Sequence, residues 1–171
     1  CTISSPAGCS ITQSFTITQP PALTATQSQV NVNCNAACNG SATVVPSGGT
    51  PGYTYSWAPT GGTGATASSL CAGTYTCTIT DANGCSITIS FTITQPSAVT
   101  GSTTIVQSTC GNPNGSATVT PSGGVGPYTY SWAPSGGTGA TETGLPANIY
   151  TVTITDANGC TVNSTLAVTQ P

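Results

Sequence analysis

Apolar and hydroxyl side chains alternate along most of the chain with a period of two residues. In one segment the apolar residues are Tyr75, Cys77 and Ile79, and threonines occupy the positions between them. A few positions later, apolar residues again take every second position, at Ile87, Ile89, Phe91 and Ile93. This alternation places apolar side chains on one face and hydroxyls on the other, as in an antiparallel strand with one buried face. No stretch has the helical period, so the pattern predicts an all-β protein.

Short glycine-containing segments separate the alternating runs. Asn83-Gly84 and Asn158-Gly159 each lie between two of these runs. An Asn-Gly pair in that position is a strong signal for a β-hairpin. The segment "TITDANGC" at 78–85 is therefore interpreted as one strand, its turn and the first residue of the next strand.

The sequence repeats itself with a period of about 75 residues. Three phrases recur at this spacing: "TITDANGC" at 78–85 and 153–160, "NGSATV" at 39–44 and 114–119, and "TYSWAP" at 54–59 and 129–134. Such self-similarity is the signature of a repeat architecture. The chain accordingly divides into the segment 1–20 and two repeats, 21–96 and 97–171. Because segment 1–20 aligns with 77–96, we expect it to be the closing hairpin of an incomplete preceding repeat, and the chain to be a window on a longer array.

Each repeat holds six or seven short strands, which predicts tandem immunoglobulin-like β-sandwiches. Trp57 and Trp132 lie on the third strand, where this fold buries a tryptophan, and Tyr75 resembles its tyrosine corner. A domain this small buries only about 60% of its unfolded surface. We therefore expect the repeats to stack head to tail and to be reinforced by disulfides.

The chain contains no Lys, Arg or His, and its only acidic residues are Asp81, Glu142 and Asp156. Nucleic acids and anionic membrane surfaces are bound largely through cationic side chains, so neither is an expected partner. General acid–base catalysis most often uses His, and it needs an acid and a base close together. The composition therefore argues against an enzyme, and it indicates no cofactor.

Nine cysteines without histidine, and without paired C-x-x-C clusters, argue against a zinc site. They favour disulfides in an oxidising, extracellular compartment. Cys38 and Cys71 fall in two loops at the same end of the first repeat, so a bridge within that repeat is expected. Cys77 is interpreted as a buried thiol, the usual state of an unpaired core cysteine.

Two pairings remain open for the recurring cysteines. Cys34 is equivalent to Cys110, whereas Cys85 is equivalent to Cys160 and to Cys9. Pairing within repeats would join Cys34 to Cys85 and Cys110 to Cys160. In an immunoglobulin topology, however, these residues lie at opposite ends of a strand about 23 Å long, and disulfide Cα atoms lie within about 7 Å of each other. Pairing between stacked repeats would instead join Cys34 to Cys160, and would leave Cys85 and Cys110 for other repeats.

The remaining candidate sites are two aspartates, the aromatic side chains and three asparagines. Asp81 and Asp156 could bind calcium, but a single carboxylate is too few, and capping of their own turns is the better interpretation. Exposed aromatic side chains could stack on sugars, yet the alternation turns them inward. The glycosylation pattern N-x-S/T occurs at three asparagines, Asn39, Asn114 and Asn163.

The ordered set "NGSATV", "SGG", "PYTYSW" and "YTVTITDANGC" in residues 110–160 resembles the SprB repeat family. Repeat 21–96 matches it equally well, and segment 1–20 matches its closing hairpin. The resemblance implies an array on the surface of a gliding bacterium, exported across the outer membrane, that serves adhesion or motility. Three extra cysteines in the first repeat and the near absence of charge depart from the family pattern.

Two functions follow from these features. The first is a structural segment, the shaft of an extracellular bacterial adhesin or filament, whose partners are neighbouring repeats and other copies in a fibre. The alternative is a displayed module that binds carbohydrate, such as a surface polysaccharide, or another surface. A cluster of outward aromatic residues at one loop end would favour the alternative, and the sequence contains none. Direct membrane insertion is not expected.

Overall fold

The computed structural model describes residues 1–170, and all regular structure in this range is β-strand. It has no helix long and apolar enough to cross a membrane. The strands are β1 Thr2–Ser4, β2 Ser10–Thr12, β3 Thr24–Val30, β4 Gly40–Ser47, β5 Thr54–Ala58, β6 Thr66–Leu70, β7 Gly73–Thr80, β8 Ser86–Ile93, β9 Thr100–Val106, β10 Gly115–Ser122, β11 Thr129–Ala133, β12 Thr141–Leu145, β13 Asn148–Thr155 and β14 Thr161–Val168.

Strands β3 to β8 form a first β-sandwich. One sheet has the strand order β3-β4-β6 and the other β5-β7-β8, and all pairings are antiparallel. Strands β9 to β14 repeat this arrangement, with sheets β9-β10-β12 and β11-β13-β14. The two sandwiches lie within the predicted repeats 21–96 and 97–171. The predicted all-β, immunoglobulin-like class is confirmed.

Each sandwich encloses one hydrophobic core built around its tryptophan. Trp57 packs beside Phe91, with their ring centroids 5.4 Å apart, and Trp132 is 2% exposed. The indole N–H of Trp57 donates to the carbonyl of Gly64 at 2.9 Å, and that of Trp132 donates to Gly139 at 2.8 Å. A buried indole is stable when its single donor has a partner. These bonds also fasten the glycine-rich loop after β5 or β11 over the core.

A tyrosine hydroxyl ties the start of β7 and β13 to the preceding loop. Tyr75 donates to the carbonyl of Cys71 at 3.1 Å, and Tyr150 donates to Pro146 at 3.0 Å. Both rings are buried, while their hydroxyls reach the backbone four positions earlier. This is the geometry of a tyrosine corner.

The turn after β7 differs in detail from the sequence interpretation. Gly84 N–H donates to Asp81 O at 3.0 Å, and Gly84 has φ of 85°. Asn83 is not among the non-glycine residues with positive φ, so Asn83-Gly84 is not a two-residue type I′ turn. The loop is longer than predicted, because β8 begins at Ser86. The placement of Cys85 as the first residue of that strand was wrong, and Cys160 likewise precedes β14.

Segment 1–20 forms a small hairpin from β1 and β2, with Ile3 opposite Ile11. Its large apolar side chains are all exposed: Ile3 65%, Ile11 66%, Phe15 74% and Ile17 96%. In the first sandwich, the equivalents of Ile3, Phe15 and Ile17 are the buried Ile79, Phe91 and Ile93, and the equivalent of Ile11 is the half-buried Ile87. The hairpin therefore has an apolar face equivalent to that of β7 and β8, but no opposing sheet covers it.

Candidate functional site

The candidate site is the joint between the two sandwiches, which a disulfide crosses. Cys34 lies in the loop between β3 and β4, and Cys160 follows the turn between β13 and β14. Their sulfur atoms are bonded at 2.02 Å, and their Cα atoms lie 5.6 Å apart. Of the two arrangements that the sequence left open, the structure therefore has the one between repeats. The disulfides Cys34–Cys85 and Cys110–Cys160 are absent from the described residues.

The loop that carries Cys34 is fixed to the end of its own sandwich and to the linker. Val32 N–H donates to Thr94 O at 3.0 Å, and Ala36 N–H donates to the side-chain oxygen Oε1 of Gln95 at 2.9 Å. Asn35 Nδ2 donates to Pro96 O at 3.1 Å. These bonds hold the segment 94–96, which connects the two sandwiches, against the loop. The linker is therefore part of the joint.

The second sandwich meets this loop with the tip of its β13–β14 hairpin. Asn158 Nδ2 donates to the carbonyl of Asn33 at 2.9 Å, and Cys160 Sγ lies 3.4 Å from that same oxygen. A cleft of about 390 Å³ remains beside the disulfide, lined by residues of both sandwiches, including Asn35, Val99 and Val162. A covalent bond and a hydrogen bond thus join the same two loops.

Asp156 shapes the turn that presents Cys160. Its Oδ1 accepts from the N–H groups of Asn158 at 2.9 Å and Cys160 at 2.8 Å, and its Oδ2 accepts from Val125 N–H at 2.9 Å. Burial by itself would raise the pKa of Asp156, but the backbone donors outweigh it and hold that pKa below its ordinary value.

Asp81 makes the equivalent cap in the first sandwich. Its Oδ1 accepts from Asn83 and Cys85 N–H, both at 2.9 Å, and its Oδ2 accepts from Thr50 N–H at 2.9 Å. The hydrogen bond from Thr50 is the main cause of a lowered pKa at Asp81. The carboxylates thus serve as turn caps, the alternative to calcium binding that the sequence favoured. No group of three His, Cys, Asp or Glu residues in the described chain could hold a metal ion.

A single substitution distinguishes the two turns. Asn83 Nδ2 donates to Thr50 Oγ1 at 2.7 Å, so its amide bonds within its own sandwich. Val125 replaces Thr50 in the second repeat and has no hydroxyl. The Asn158 amide bonds Asn33 of the neighbouring sandwich instead.

A second disulfide, Cys38–Cys71, joins the β3–β4 loop to the β6–β7 loop within the first sandwich, with Cα atoms 3.9 Å apart. The carbonyl of Cys71 also accepts the Tyr75 hydroxyl. This bridge stiffens the loop that carries Cys34. The second repeat has Pro146 at the position of Cys71 and lacks the bridge.

Five cysteines are unpaired in the described chain. Cys77 is fully buried opposite Trp57, and burial raises the pKa of its thiol. The other four are exposed: Cys1, Cys9, Cys85 and Cys110.

The three N-x-S/T asparagines are exposed, but their amides already have partners. Asn114 Nδ2 donates to Thr109 Oγ1 at 2.8 Å, and Asn39 Nδ2 donates to the side chain of Asn33. Asn163 Oδ1 accepts from Thr153 Oγ1 at 2.9 Å. Asn39 and Asn114 thus fasten the loops that carry Cys34 and Cys110.

Sequence reasoning missed the polar half of the joint. Asn33 binds the opposing turn, Asn35 binds the linker, and Gln95 of the linker binds Ala36, yet the sequence pattern predicted none of these contacts. The available signal was the density of asparagine in "NVNCNAACNG" at 31–40, because short amides readily bond nearby backbone groups.

Both sandwiches contain a segment that is similar to a known repeat family. The family model of the SprB repeat matches residues 26–64 and 102–137, one segment in each sandwich, which confirms the resemblance seen in the sequence. No significant match was found among curated proteins. The SprB matches support a repeat module of a surface protein.

Two solved structures are also similar to the chain. A structure solved to explain Dscam isoform specificity has 13% identity and a TM-score of 0.37, over 88% of this chain and 47% of that one. The present chain thus spans about half the length of the Dscam chain. The amphioxus IgVJ-C2 molecule has 13% identity and a TM-score of 0.36, over 84% of this chain and 96% of that one.

Proposed function

We propose that this chain is a load-bearing segment of an extracellular bacterial surface fibre or adhesin, and that its partners are neighbouring repeats. The observation that carries the proposal is the Cys34–Cys160 disulfide, which spans 126 positions and closes the joint between the two sandwiches. A bond in this place adds little to the interior of either sandwich, and it restricts their relative movement.

The disulfide also changes the path of an applied force. When the chain is pulled from its two ends, tension reaches Cys34, crosses to Cys160 and leaves through β14. The strands from β4 to β13 then lie outside the loaded path. Hydrogen bonds yield under force far sooner than covalent bonds, so the joint protects most of both sandwiches from mechanical unfolding.

The surface chemistry agrees with exposure outside the cell. Disulfides persist in oxidising compartments, and the chain has no Lys or Arg at which a trypsin-like protease could cut. The acidic residues also support a non-enzymatic role, because Asp81 and Asp156 are committed to turn caps. Repeats of this family and fold are typically not enzymes.

Single-molecule force spectroscopy on the full chain, held at its ends, tests the proposal. With the disulfide intact, stretching should release only the short terminal segments. Reduction opens both disulfides and should add the 126-residue separation to the extensible length, on the order of 400 Å. The substitution Cys160→Ser keeps the nested Cys38–Cys71 loop of 33 residues closed, so it should add correspondingly less, on the order of 300 Å. The pair Cys38→Ser and Cys71→Ser is the matched control, because it removes a disulfide without opening the joint. An intact chain that extends as far as the reduced one would refute the load-bearing role.

A further inference from the structure

The tip of the β13–β14 hairpin brings an Asn-Gly pair into the joint itself. Asn158 donates to the carbonyl of Asn33 in the neighbouring sandwich at 2.9 Å, and Gly159 stands between Asn158 and Cys160. An asparagine followed by glycine deamidates readily, because glycine has no Cβ to hinder attack by its nitrogen on the asparagine side chain. We propose that Asn158 is a deamidation site and that closure of the joint controls its reactivity.

The reaction removes the group that binds the neighbouring sandwich. The backbone nitrogen of Gly159 attacks Cγ of Asn158, so that an N–C bond forms and the bond from Cγ to Nδ2 breaks. Nδ2 leaves as ammonia with its own two protons and the proton of the Gly159 nitrogen. Water then opens the succinimide ring at either carbonyl, which gives aspartate or isoaspartate, and ammonia takes the proton of the new carboxyl group. Both residues are exposed, so water reaches them.

Three hydrogen bonds restrain the reacting groups while the joint is closed. The N–H of Gly159, which is the nucleophile, donates to Asp156 O at 3.0 Å, and the N–H of Asn158 donates to Asp156 Oδ1 at 2.9 Å. The third bond holds the leaving group, Nδ2 of Asn158, on Asn33 O. The first two bonds lie within the hairpin, whereas the third needs the neighbouring sandwich. Opening the joint therefore frees the Asn158 side chain and should speed its cyclisation.

Asn83-Gly84 provides a matched comparison in the first sandwich. Gly84 N–H donates to Asp81 O at 3.0 Å, and Asn83 N–H donates to Asp81 Oδ1 at 2.9 Å, as in the turn of Asn158. The Asn83 amide, however, donates at 2.7 Å to Thr50 of its own sandwich. The state of the joint should therefore leave the reactivity of Asn83 unchanged.

The other two Asn-Gly pairs, 39–40 and 114–115, lie where strands begin. Gly40 is the first residue of β4 and Gly115 is the first residue of β10, and both are buried. The amides of Asn39 and Asn114 are bonded within their own loops. We expect these two pairs to react more slowly than the pairs in the turns.

Deamidation of Asn158 would prevent the polar half of the joint from forming again. The product presents a carboxylate to the carbonyl of Asn33, and both of these groups only accept hydrogen bonds. In isoaspartate the main chain is also longer by one atom just before Cys160, which displaces its sulfur from Cys34. A reversible opening of the joint thus becomes a lasting one. This inference depends on the geometry of the joint and goes beyond the load-bearing role.

Peptide mass spectrometry of the full chain, incubated at mildly alkaline pH, tests the inference. Iodoacetamide first blocks the exposed thiols, so that disulfides cannot exchange. The native chain is compared with the pair Cys34→Ser and Cys160→Ser, in which the joint has lost its covalent bond. We expect Asn158 to deamidate about two- to tenfold faster in this variant, the factor that corresponds to one hydrogen bond of ordinary net strength. Asn83 should react at the same rate in both proteins.

The pair Cys38→Ser and Cys71→Ser is the control for loss of a disulfide as such. It keeps the bond across the joint, so the deamidation rate of Asn158 should stay that of the native chain. Equal rates at Asn158 in the native chain and the joint variant would overturn the inference. A rise at Asn83 as large as that at Asn158 would also overturn it, because the joint would then have no specific effect on its own turn.

The effect of the product on the joint is measured as the fraction of Cys34–Cys160 disulfide in a glutathione redox buffer. Asn158→Ala removes the donor, and Asn158→Asp also places a carboxylate against Asn33 O, so Asp should lower the fraction more than Ala. Asn83→Asp should leave it unchanged. A native fraction in Asn158→Asp would contradict the inference. Force spectroscopy reports the path of the load and the peptide map reports deamidation, so either proposal can fail without the other.

Discussion

The sulfur atoms of Cys34 and Cys160 are bonded across the boundary between the two β-sandwiches, although the residues lie 126 positions apart. One cysteine belongs to the loop between β3 and β4 of the first sandwich, and the other follows the last hairpin turn of the second. Neither sandwich needs this bond to complete its core. Its main effect is on the linker, because the bond encloses the linker in a covalent ring and restricts its bending.

Opening this ring should free the relative orientation of the sandwiches. The pair Cys34→Ser and Cys160→Ser removes the covalent restraint and leaves mainly the hydrogen bonds of the linker. We expect a broader distribution of shapes in small-angle X-ray scattering and a loss of about 2–4 kcal/mol of stability. The pair Cys38→Ser and Cys71→Ser should cost a comparable amount while the scattering profile stays that of the native chain. Identical profiles for all three proteins would contradict the role of the joint.

Acid should destabilise the chain through its two capping aspartates. The folded-state pKa of Asp81 and Asp156 lies below the ordinary value, so their stabilisation is complete above the unfolded pKa of about 3.9 and is lost as pH falls through the folded pKa. Asp81→Asn and Asp156→Asn should each lower stability at neutral pH and flatten its decline in acid. Urea unfolding between pH 2 and 6 measures this. Glu142→Gln is the control, since Glu142 caps no turn in the described structure. If this variant flattened the acid decline of stability equally, the decline could not be assigned to the two capping aspartates.

The tyrosine corners should contribute one hydrogen bond each. Tyr75→Phe and Tyr150→Phe keep the buried ring but lose the donor to Cys71 O or Pro146 O. Each should cost about 1 kcal/mol in urea unfolding. The half-buried Tyr130 offers the comparison, because its hydroxyl has no such partner in the described structure. If Tyr130→Phe costs as much, the corner has no special role.

Cys77 should behave as an apolar core residue. Val152 occupies its position in the second sandwich, and both side chains are fully buried. Cys77→Val should therefore change stability by less than about 1.5 kcal/mol. Cys77→Ser buries a hydroxyl in the same space and should cost about 1–3 kcal/mol. In the native chain a soluble thiol reagent should label the exposed cysteines and leave Cys77 unmodified, whereas rapid labelling of Cys77 would show that the core opens.

The strands could be predicted because their information is local. Tyr75, Cys77 and Ile79 alternate with threonines, and that alternation alone determines which side chains enter the core. The tryptophan and tyrosine positions followed from the spacing of the strands. The type of turn at Asn83-Gly84 did not, because the carboxylate of Asp81 and the N–H of Thr50, 31 positions apart, together fix its shape.

The cysteine pairing was harder to predict because it depends on how two domains stack. Repeat equivalence made Cys34–Cys85 and Cys34–Cys160 equally consistent with the spacing. The choice depends on contacts from Asn33, Asn35 and Gln95 to groups that the sequence does not place nearby. Such polar contacts have no periodicity, so no pattern along the chain predicts them.

Disulfide mapping of the native, non-reduced chain tests the central claim most directly. Chymotrypsin-like cleavage suits this chain because it has aromatic residues and no Lys or Arg. The account predicts a linked peptide pair that contains Cys34 and Cys160, together with Cys38 joined to Cys71. Peptides that join Cys34 to Cys85 and Cys110 to Cys160 would contradict it, because the repeats would then be independently closed domains with no covalent joint between them.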